Sequence, residues 1–353
     1  MKKRILSIAL AVACTFTLCA CGAKTEEAVA ETTEVVEEAA EATEEVAEEV
    51  VEEVAEAVES DVTYTVGICQ LVQHVALDAA TQGFKDALTE KLGDSVVFDE
   101  QNAAGDSATC ATIANQFVSS NVDLILANAT APLQAAAAAT NEIPILGTSV
   151  TDYATALEID NWTGKTGTNI SGTSDLAPLS EQAAMLNELF PEAKTVGLLY
   201  CSAEPNSQYQ CSVIAEYLAT YGYTTKDYTF ADSNDIASVT TTAVSECDVI
   251  YVPTDNTAAA NTEVINNVCL PAGVPVIAGE EGICSGCGVA TLSISYYDLG
   301  YTTGQMAYEI LANGANVADM DVQFAPQVTK EYNADICAQL GIEIPADYVA
   351  IGE

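Results

Sequence analysis

The sequence predicts an α/β fold of two doubly wound parallel-sheet lobes joined by a multi-strand hinge, and three observations carry that prediction. From about residue 61 onward, short continuous apolar runs alternate with stretches of helical period. The alternation comes as two series of similar length. A Gly- and Thr-rich stretch, Thr163 to Ser174, separates them. Strands that are apolar on every residue are covered on both faces, the condition of a parallel sheet between helices.

In the first series, Val62 to Cys69 is a strand and Leu77 to Leu92 a helix; Val96 to Gln101 is strand-like and Ser107 to Ser119 helical. Val122 to Asn128 has the pattern of a buried strand, Ala131 to Thr140 is helical, and Ile143 to Val150 is a strand whose entry Pro144 punctuates. The second series has helices over 178–189, 207–221, 235–246 and 257–270, with strands over 194–200, 223–230, 248–252 and 274–278. The later segments Val289 to Ile294, helix Tyr297 to Leu311, and Gln323 to Thr329 cross back between the lobes. The expected lobes are 61–173 with 290–324, and 174–289 with 325–353.

The first twenty-one residues set the compartment. Lys2, Lys3 and Arg4 precede an apolar run, Ile5 to Leu18, too short and one-sided for an ordinary membrane span. It ends in Leu18-Cys19-Ala20-Cys21, the pattern of a bacterial lipoprotein signal over 1–20, with lipid expected on the sulfur and amine of Cys21. Residues 21–60 are expected to be a disordered acidic spacer. Between Lys24 and Ser60 there are fifteen glutamates, and Glu44, Glu48, Glu52 and Glu56 repel one another at helical spacing. As a flexible coil this segment would reach roughly 35 Å.

The formal net charge is −42, and the body keeps six lysines and no arginine. That balance excludes nucleic acid and anionic lipid surfaces as partners; the membrane is reached only through the lipid anchor. It also means that a bound carboxylate has no guanidinium clamp and must meet hydroxyls, backbone N–H groups or helix N-termini. Nine cysteines remain in the body, an odd number, several at positions suited to small buried hydrophobes. Cys284-Ser285-Gly286-Cys287 is a lone C-x-x-C that its glycines make read as a turn, with a local disulfide or two free thiols expected. Neither a metal nor a cofactor is expected.

Ligands of open parallel sheets gather at the carboxyl ends of strands. Those ends carry Gln70 and His74; Asn128, Ala129 and Thr130; Thr148, Ser149 and Asp152, with Thr151 between them; Ser202, Glu204 and Asn206; Thr254, Asp255 and Asn256; and Glu280 and Glu281. His74 is placed to touch a ligand, cap a helix or pack. Asp78 suits the helix N-terminus, and Trp162 suits a loop anchor. Asp255 is either an N-cap or the partner of an ammonium group. For a zwitterion, the expected carboxylate donors are Thr130, Thr148, Ser149 and Thr151, and the expected ammonium acceptors are Asp255 with Asp152 or Glu280.

Several words in the chain occur together in a known order. They are Gln70-x-x-x-His74-x-Ala76-Leu77-Asp78, Gln101-Asn102-Ala103-x-Gly105-Asp106, Val150-Thr151-Asp152, Ser174-Asp175-Leu176-x-Pro178, Glu204-x-Asn206-Ser207 and Tyr251-Val252-Pro253-Thr254-Asp255-Asn256. From about Thr63 to Pro345 the body resembles the substrate-binding lipoproteins of an ABC-importer family. The resemblance implies a type I bilobed binding-protein fold, a ligand site that includes Ser174, and delivery of an amino acid, aromatic in the better-known members, to a permease. The chain departs from the family at Val75 and Tyr153, where proline is usual, and over Gly279 to Gly288.

Two function classes remain. The first is a solute receptor, with an amino acid favoured over a sugar or nucleoside because the chain has one tryptophan to offer a sugar face. The second is an extracytoplasmic enzyme on the same scaffold. That class is poorly supported by a single histidine with no nucleophile elbow. A DNA-reading regulator is excluded by the export signal.

Overall fold

The computed structural model describes residues 62–352 apart from Pro326, so the signal, Cys21 and the acidic spacer lie outside the described residues. The first lobe is built from β1 (Tyr64–Gln70), α1 (Val75–Leu92), β2 (Val96–Asn102), α2 (Ser107–Ser120), β3 (Leu124–Asn128), α3 (Thr130–Ala139), β4 (Ile145–Val150), α4 (Tyr153–Ala156) and β5 (Ile170–Ser174). The second contains α5 (Leu179–Leu189), β6 (Thr195–Cys201), α6 (Pro205–Thr220), β7 (Thr224–Phe230), α7 (Ile236–Glu246), β8 (Val249–Val252), α8 (Asn256–Ala259), α9 (Thr262–Ala272), β9 (Val276–Ala278), α10 (Glu281–Cys287) and β10 (Ala290–Ser293). The chain finishes with α11 (Tyr296–Leu311), β11 (Gln323–Phe324), β12 (Thr329–Tyr332), α12 (Ala334–Leu340) and β13 (Val349–Ala350).

The first sheet has the order β11-β5-β4-β3-β1-β2 and the second β13-β12-β10-β9-β8-β6-β7. Each therefore starts from the same five-strand parallel unit, in which the second strand flanks the first and the others extend the opposite side. The inner strands of both sheets are buried on both faces, while the edge strands β2 and β7 are part exposed. Every residue of β3, β4, β5 and β8 is buried, as helices on both faces require. Only β12 runs antiparallel to its neighbour β10.

Three segments cross between the lobes: β5 to α5, β10 to α11, and β11 to β12. Helix α11 returns to the first lobe, where Met306 and Ala307 join Val66, Ile68, Phe84 and Leu126 in one buried cluster. It lies backbone against backbone on α1. A Cβ on Gly83 would strike the carbonyl of Tyr297, and one on Gly300 the carbonyl of Ala80.

Four sequence expectations change here. The chain was expected to return to the first lobe at residue 290, yet Ala290–Ser293 pairs with β9 in the second sheet, and Ser174 closes the first. An apolar run does not say which sheet it joins; the helix α10 before β10 makes it the next strand of the second βαβ series. The supposed linker Thr163 to Ser174 contains β5, whose residues are Ile-Ser-Gly-Thr-Ser. Their small hydroxyls had hidden a fully buried strand. The helix expected over 257–270 is broken into α8 and α9 around Asn261. The C-x-x-C lies in a helix and not in a turn, because the buried Glu280 caps α10. Cys284 and Cys287 are buried free thiols, as are the other seven cysteines of the body.

Tyr153, a departure from the family pattern, belongs to the core. Its hydroxyl donates to the Thr173 carbonyl at 3.1 Å and its ring stacks on Trp162, the loop anchor. It fits because Gly147 and Gly172 carry no Cβ, which would collide with the phenol oxygen.

Candidate functional site

The carboxyl ends of both sheets face one another, and the space between them is divided. A narrow central cavity is lined by His74, Leu77, Ser149, Thr151 and Asp175 from the first lobe and its exit. Asn206, Thr254, Asp255, Asn256, Ala259, Glu280 and Tyr296 complete the lining. Glu280 and Tyr296 also line a cavity on the hinge side, and Asn206 and Asn256 also line an outer cleft that includes Leu71, Ala131 and Asp232. The central cavity thus has an acidic hinge end and a mouth.

The mouth is shut by direct contacts between lobes. The His74 ring Nε2 lies 3.3 Å from Asn256 Oδ1, and Gln210 Nε2 reaches Thr254 Oγ1 at 2.5 Å and Thr151 Oγ1 at 3.4 Å. Asn256 Nδ2 donates to Glu204 at 2.8 Å, so its Oδ1 must face His74. The proton is then on Nε2, and Nδ1 is an acceptor with no partner. Burial lowers the His74 pKa, against smaller upward pulls from Asn256, Glu204 and Asp78.

Three of the four acids around this space already have partners for both carboxylate oxygens, mostly backbone N–H groups. Glu204 accepts from the backbone N–H groups of Asn256 and Thr257 and from the side chains of Asn206, Asn256 and Thr257. Asp255 caps α8 through Ala258 N–H at 2.8 Å, and its other oxygen takes Cys201 N–H at 2.7 Å. It is 1 % exposed, and burial followed by the Glu204 charge pushes its carboxyl well above the usual range. Glu280 accepts from Gly282 and Ile283 N–H at 2.7 and 2.5 Å; burial nevertheless pushes it up to about 7.

Asp175 is different. It follows β5 directly, is 5 % exposed, and accepts a hydrogen bond from the Tyr296 phenol on Oδ2 at 3.0 Å. Its Oδ1 is buried without a partner. Burial pushes this carboxyl up to about 6, with Tyr296 and then Thr151 pulling it back. Ser149 completes the set. Its backbone is left-handed, with φ 54°, and its buried hydroxyl has no partner. A non-glycine residue held there at the end of a strand is a strained position of the kind that gathers at ligand sites.

Of the residues predicted from strand ends, the structure brings His74, Ser149, Thr151, Asn206, Asp255, Asn256 and Glu280 to the central cavity. The rest serve the frame. Gln70 bonds Thr81 and Asp78, and Asn128 donates to Leu77 O and Thr81 Oγ1. Thr148 meets Thr173, Asp152 caps α4, and Ser174 donates to the Thr151 carbonyl. Thr130 is buried in the first turn of α3, outside the cavity lining. Thr254, also at a strand end, is in the lining as expected, whereas sequence reasoning missed Asp175 and Tyr296 as cavity residues. Asp175 stands one residue past a strand end, the same signal that selected the others, but its strand had been read as a linker.

A two-lobed protein whose cleft closes over buried, partly unpartnered polar groups is a solute-binding protein. The chain belongs to the ABC transporter substrate binding protein family, whose model matches residues 65–351. It therefore acts outside the cytoplasm, with an ABC transporter. It is 36 % identical over 281 residues to a curated tyrosine-binding protein of Clostridioides difficile (strain R20291), covering 79 % of this chain and 81 % of that one. It is similar to the structure of a Streptococcus pneumoniae ABC domain in complex with L-Trp, with TM-score 0.77, 32 % identity, and coverage of 80 % of this chain and 96 % of that one. The ligand-free, open structure of a Clostridium difficile substrate binding protein with adhesive properties is 37 % identical, with coverage of 82 % and 99 %, yet its TM-score is 0.63. The better fit to the liganded structure despite lower identity agrees with the closed mouth described above.

Proposed function

We propose that this protein is the receptor for an aromatic amino acid, which it binds in the central cavity and passes to an ABC permease. The observation that carries this reading is the pairing of Asp175 Oδ1, a buried carboxylate oxygen without a partner, with the unpartnered Ser149 hydroxyl in the same enclosed cavity. The other acids are saturated by backbone donors, so the site has one free anionic position, which suits one ammonium group. The ligand carboxylate has Ser149 and the Thr151 and Thr254 hydroxyls in place of an arginine, and His74 Nδ1 offers the ammonium a second acceptor. Leu77, Ala259, His74 and Tyr296 supply apolar and ring surface, and an aromatic ligand enters as the two lobes part. The ligands printed for the two relatives, tyrosine and L-Trp, support the same class.

Calorimetric titration of the body, residues 61–353, with the twenty amino acids and a panel of sugars and nucleosides tests this. Saturable binding of tyrosine, tryptophan or phenylalanine without turnover is expected. Binding of a sugar in preference to any amino acid overturns it.

The N-terminal segment completes the proposal: Cys21 carries the lipid anchor and the acidic segment holds the lobes clear of the membrane. Cys21→Ala should release the protein to the medium or leave it uncleaved, and unchanged membrane attachment overturns the anchor.

A further inference from the structure

Asp175 and Tyr296 stand at two of the three crossings between lobes. Asp175 follows the last residue of β5 at the first, and Tyr296 opens α11 at the second. Their side chains meet at 3.0 Å, phenol donating to carboxylate, in a place where both residues are buried. Thr151 pulls on the carboxyl less than Tyr296 does, and Oδ1 has no hydrogen-bond partner. The acids and phenols that face Asp175 are Tyr296 itself, Tyr153 beneath it in the first lobe, and Glu280 from the second. None is a cation. Among the described residues the Tyr296 hydroxyl is the larger of the two hydroxyl influences on Asp175, and by holding Oδ2 it fixes which oxygen turns toward the ligand.

We propose that Tyr296 is a positioning residue for ligand binding: its phenol locks the Asp175 carboxylate so that one oxygen is presented to the ligand's ammonium, and it ties two hinge segments together as it does so. This rests on the amino-acid reading of the cavity. A ligand that draws on Asp175 Oδ1 strengthens a group already bonded to both crossings, so occupancy and lobe closure favour each other through one carboxylate. The phenol stabilises the charged form of Asp175. Its removal raises the pH at which that group ionises, because a donor to the carboxylate favours ionisation.

Tyr296→Phe in the full chain tests the proposal, since the ring still fills its space and only the hydroxyl is lost. Two readouts are needed. The first is the ligand-free titration of Asp175, followed by carbon-13 NMR of the aspartate carboxyls and assigned with Asp175→Asn. The second is affinity for L-tyrosine and L-tryptophan as a function of pH. Expected are an upward move of the Asp175 midpoint, a matching upward move in the pH at which binding is lost, and about tenfold weaker binding at neutral pH, which corresponds to about 1.4 kcal/mol. An unmoved Asp175 titration overturns the proposal whatever the ligand is. Lower thermal stability with unchanged affinity and unchanged pH midpoints also overturns it, because that is the signature of a packing role. If the wild type binds no amino acid while the substitution still displaces the Asp175 titration, the ligand reading fails and the Asp175–Tyr296 assignment survives.

Discussion

The two rims of the cleft use similar residue types and treat them in opposite ways. On the second lobe, Glu204, Asp255 and Glu280 each accept two or more backbone hydrogen bonds, from the starts of α8 and α10 and, for Asp255, also from the end of β6. On the first lobe and its exit, His74 Nδ1, Ser149 Oγ and Asp175 Oδ1 are buried and have no partner. A buried polar atom without a partner costs about 1–3 kcal/mol, so a rim that leaves three of them is built to be completed by something else. In the proposed reading the second rim is the frame and the first rim meets the ligand's polar groups. Counting carboxylates would have pointed at the wrong rim.

The largest effect that would break this comparison is at the ligand's ammonium. Asp175→Asn keeps an acceptor for the Tyr296 phenol but removes the charge. Losing a buried charged partner typically costs about 2–5 kcal/mol, so affinity for the amino acid should fall by at least about thirtyfold while the fold persists. Calorimetry alongside a thermal melt measures both, and retained affinity would return the ammonium to the second rim. Asp255→Ala is the matching change on that rim. It strands the N–H groups of Cys201 and Ala258 and should cost about 1–3 kcal/mol of stability with a small change in affinity. Abolished binding in a fully stable protein would show that Asp255 is a ligand residue after all.

Proton linkage sharpens the comparison because stability and binding should move in opposite directions. Burial raises Asp175 to about 6 and Glu280 to about 7, above the carboxyl range of an unfolded chain. Between those limits the folded state holds more protons than the unfolded state, so ligand-free stability should rise as the pH falls from about 8 to about 5, by up to about 1.4 kcal/mol per pH unit for each group. Amino-acid binding needs Asp175 ionised and should weaken as the pH falls through about 6, by up to about tenfold per pH unit. Melting curves and titrations at matched pH distinguish this from two trends of the same sign. Ser149→Gly should have the smallest effect. It relieves the left-handed strain and removes one donor, giving equal or slightly higher stability with affinity reduced by about tenfold or less.

Most of the fold was legible because it depends on local pattern. Apolar strands such as Leu124–Asn128 and amphipathic helices such as α1 announce themselves over a few residues, and their alternation in two series defines two doubly wound lobes. Where the pattern was atypical, reading failed. β5 is a buried strand of serine, threonine and glycine whose hydroxyls find partners only across the lobe, Thr173 with Thr148 and Thr303. Losing β5 as a strand also removed Asp175 from the set of strand ends.

The sequence by itself determined the class of ligand recognition open to this protein. A body without arginine, with one histidine and many acids, has no guanidinium for an anionic group, which is left to hydroxyls, backbone N–H groups or helix N-termini, and has carboxylates in plenty for a cationic one. Only the tertiary structure decided which carboxylate is free. Asp175 and Asp255 look alike as strand-end aspartates, and each is almost wholly buried. Asp255 lies against the N–H groups of α8 and the end of β6, whereas Asp175 lies against one phenol that arrives from 121 positions away. Hydrogen-bond saturation is set by what the rest of the chain brings within about 3 Å, and that information exists only once the lobes have formed.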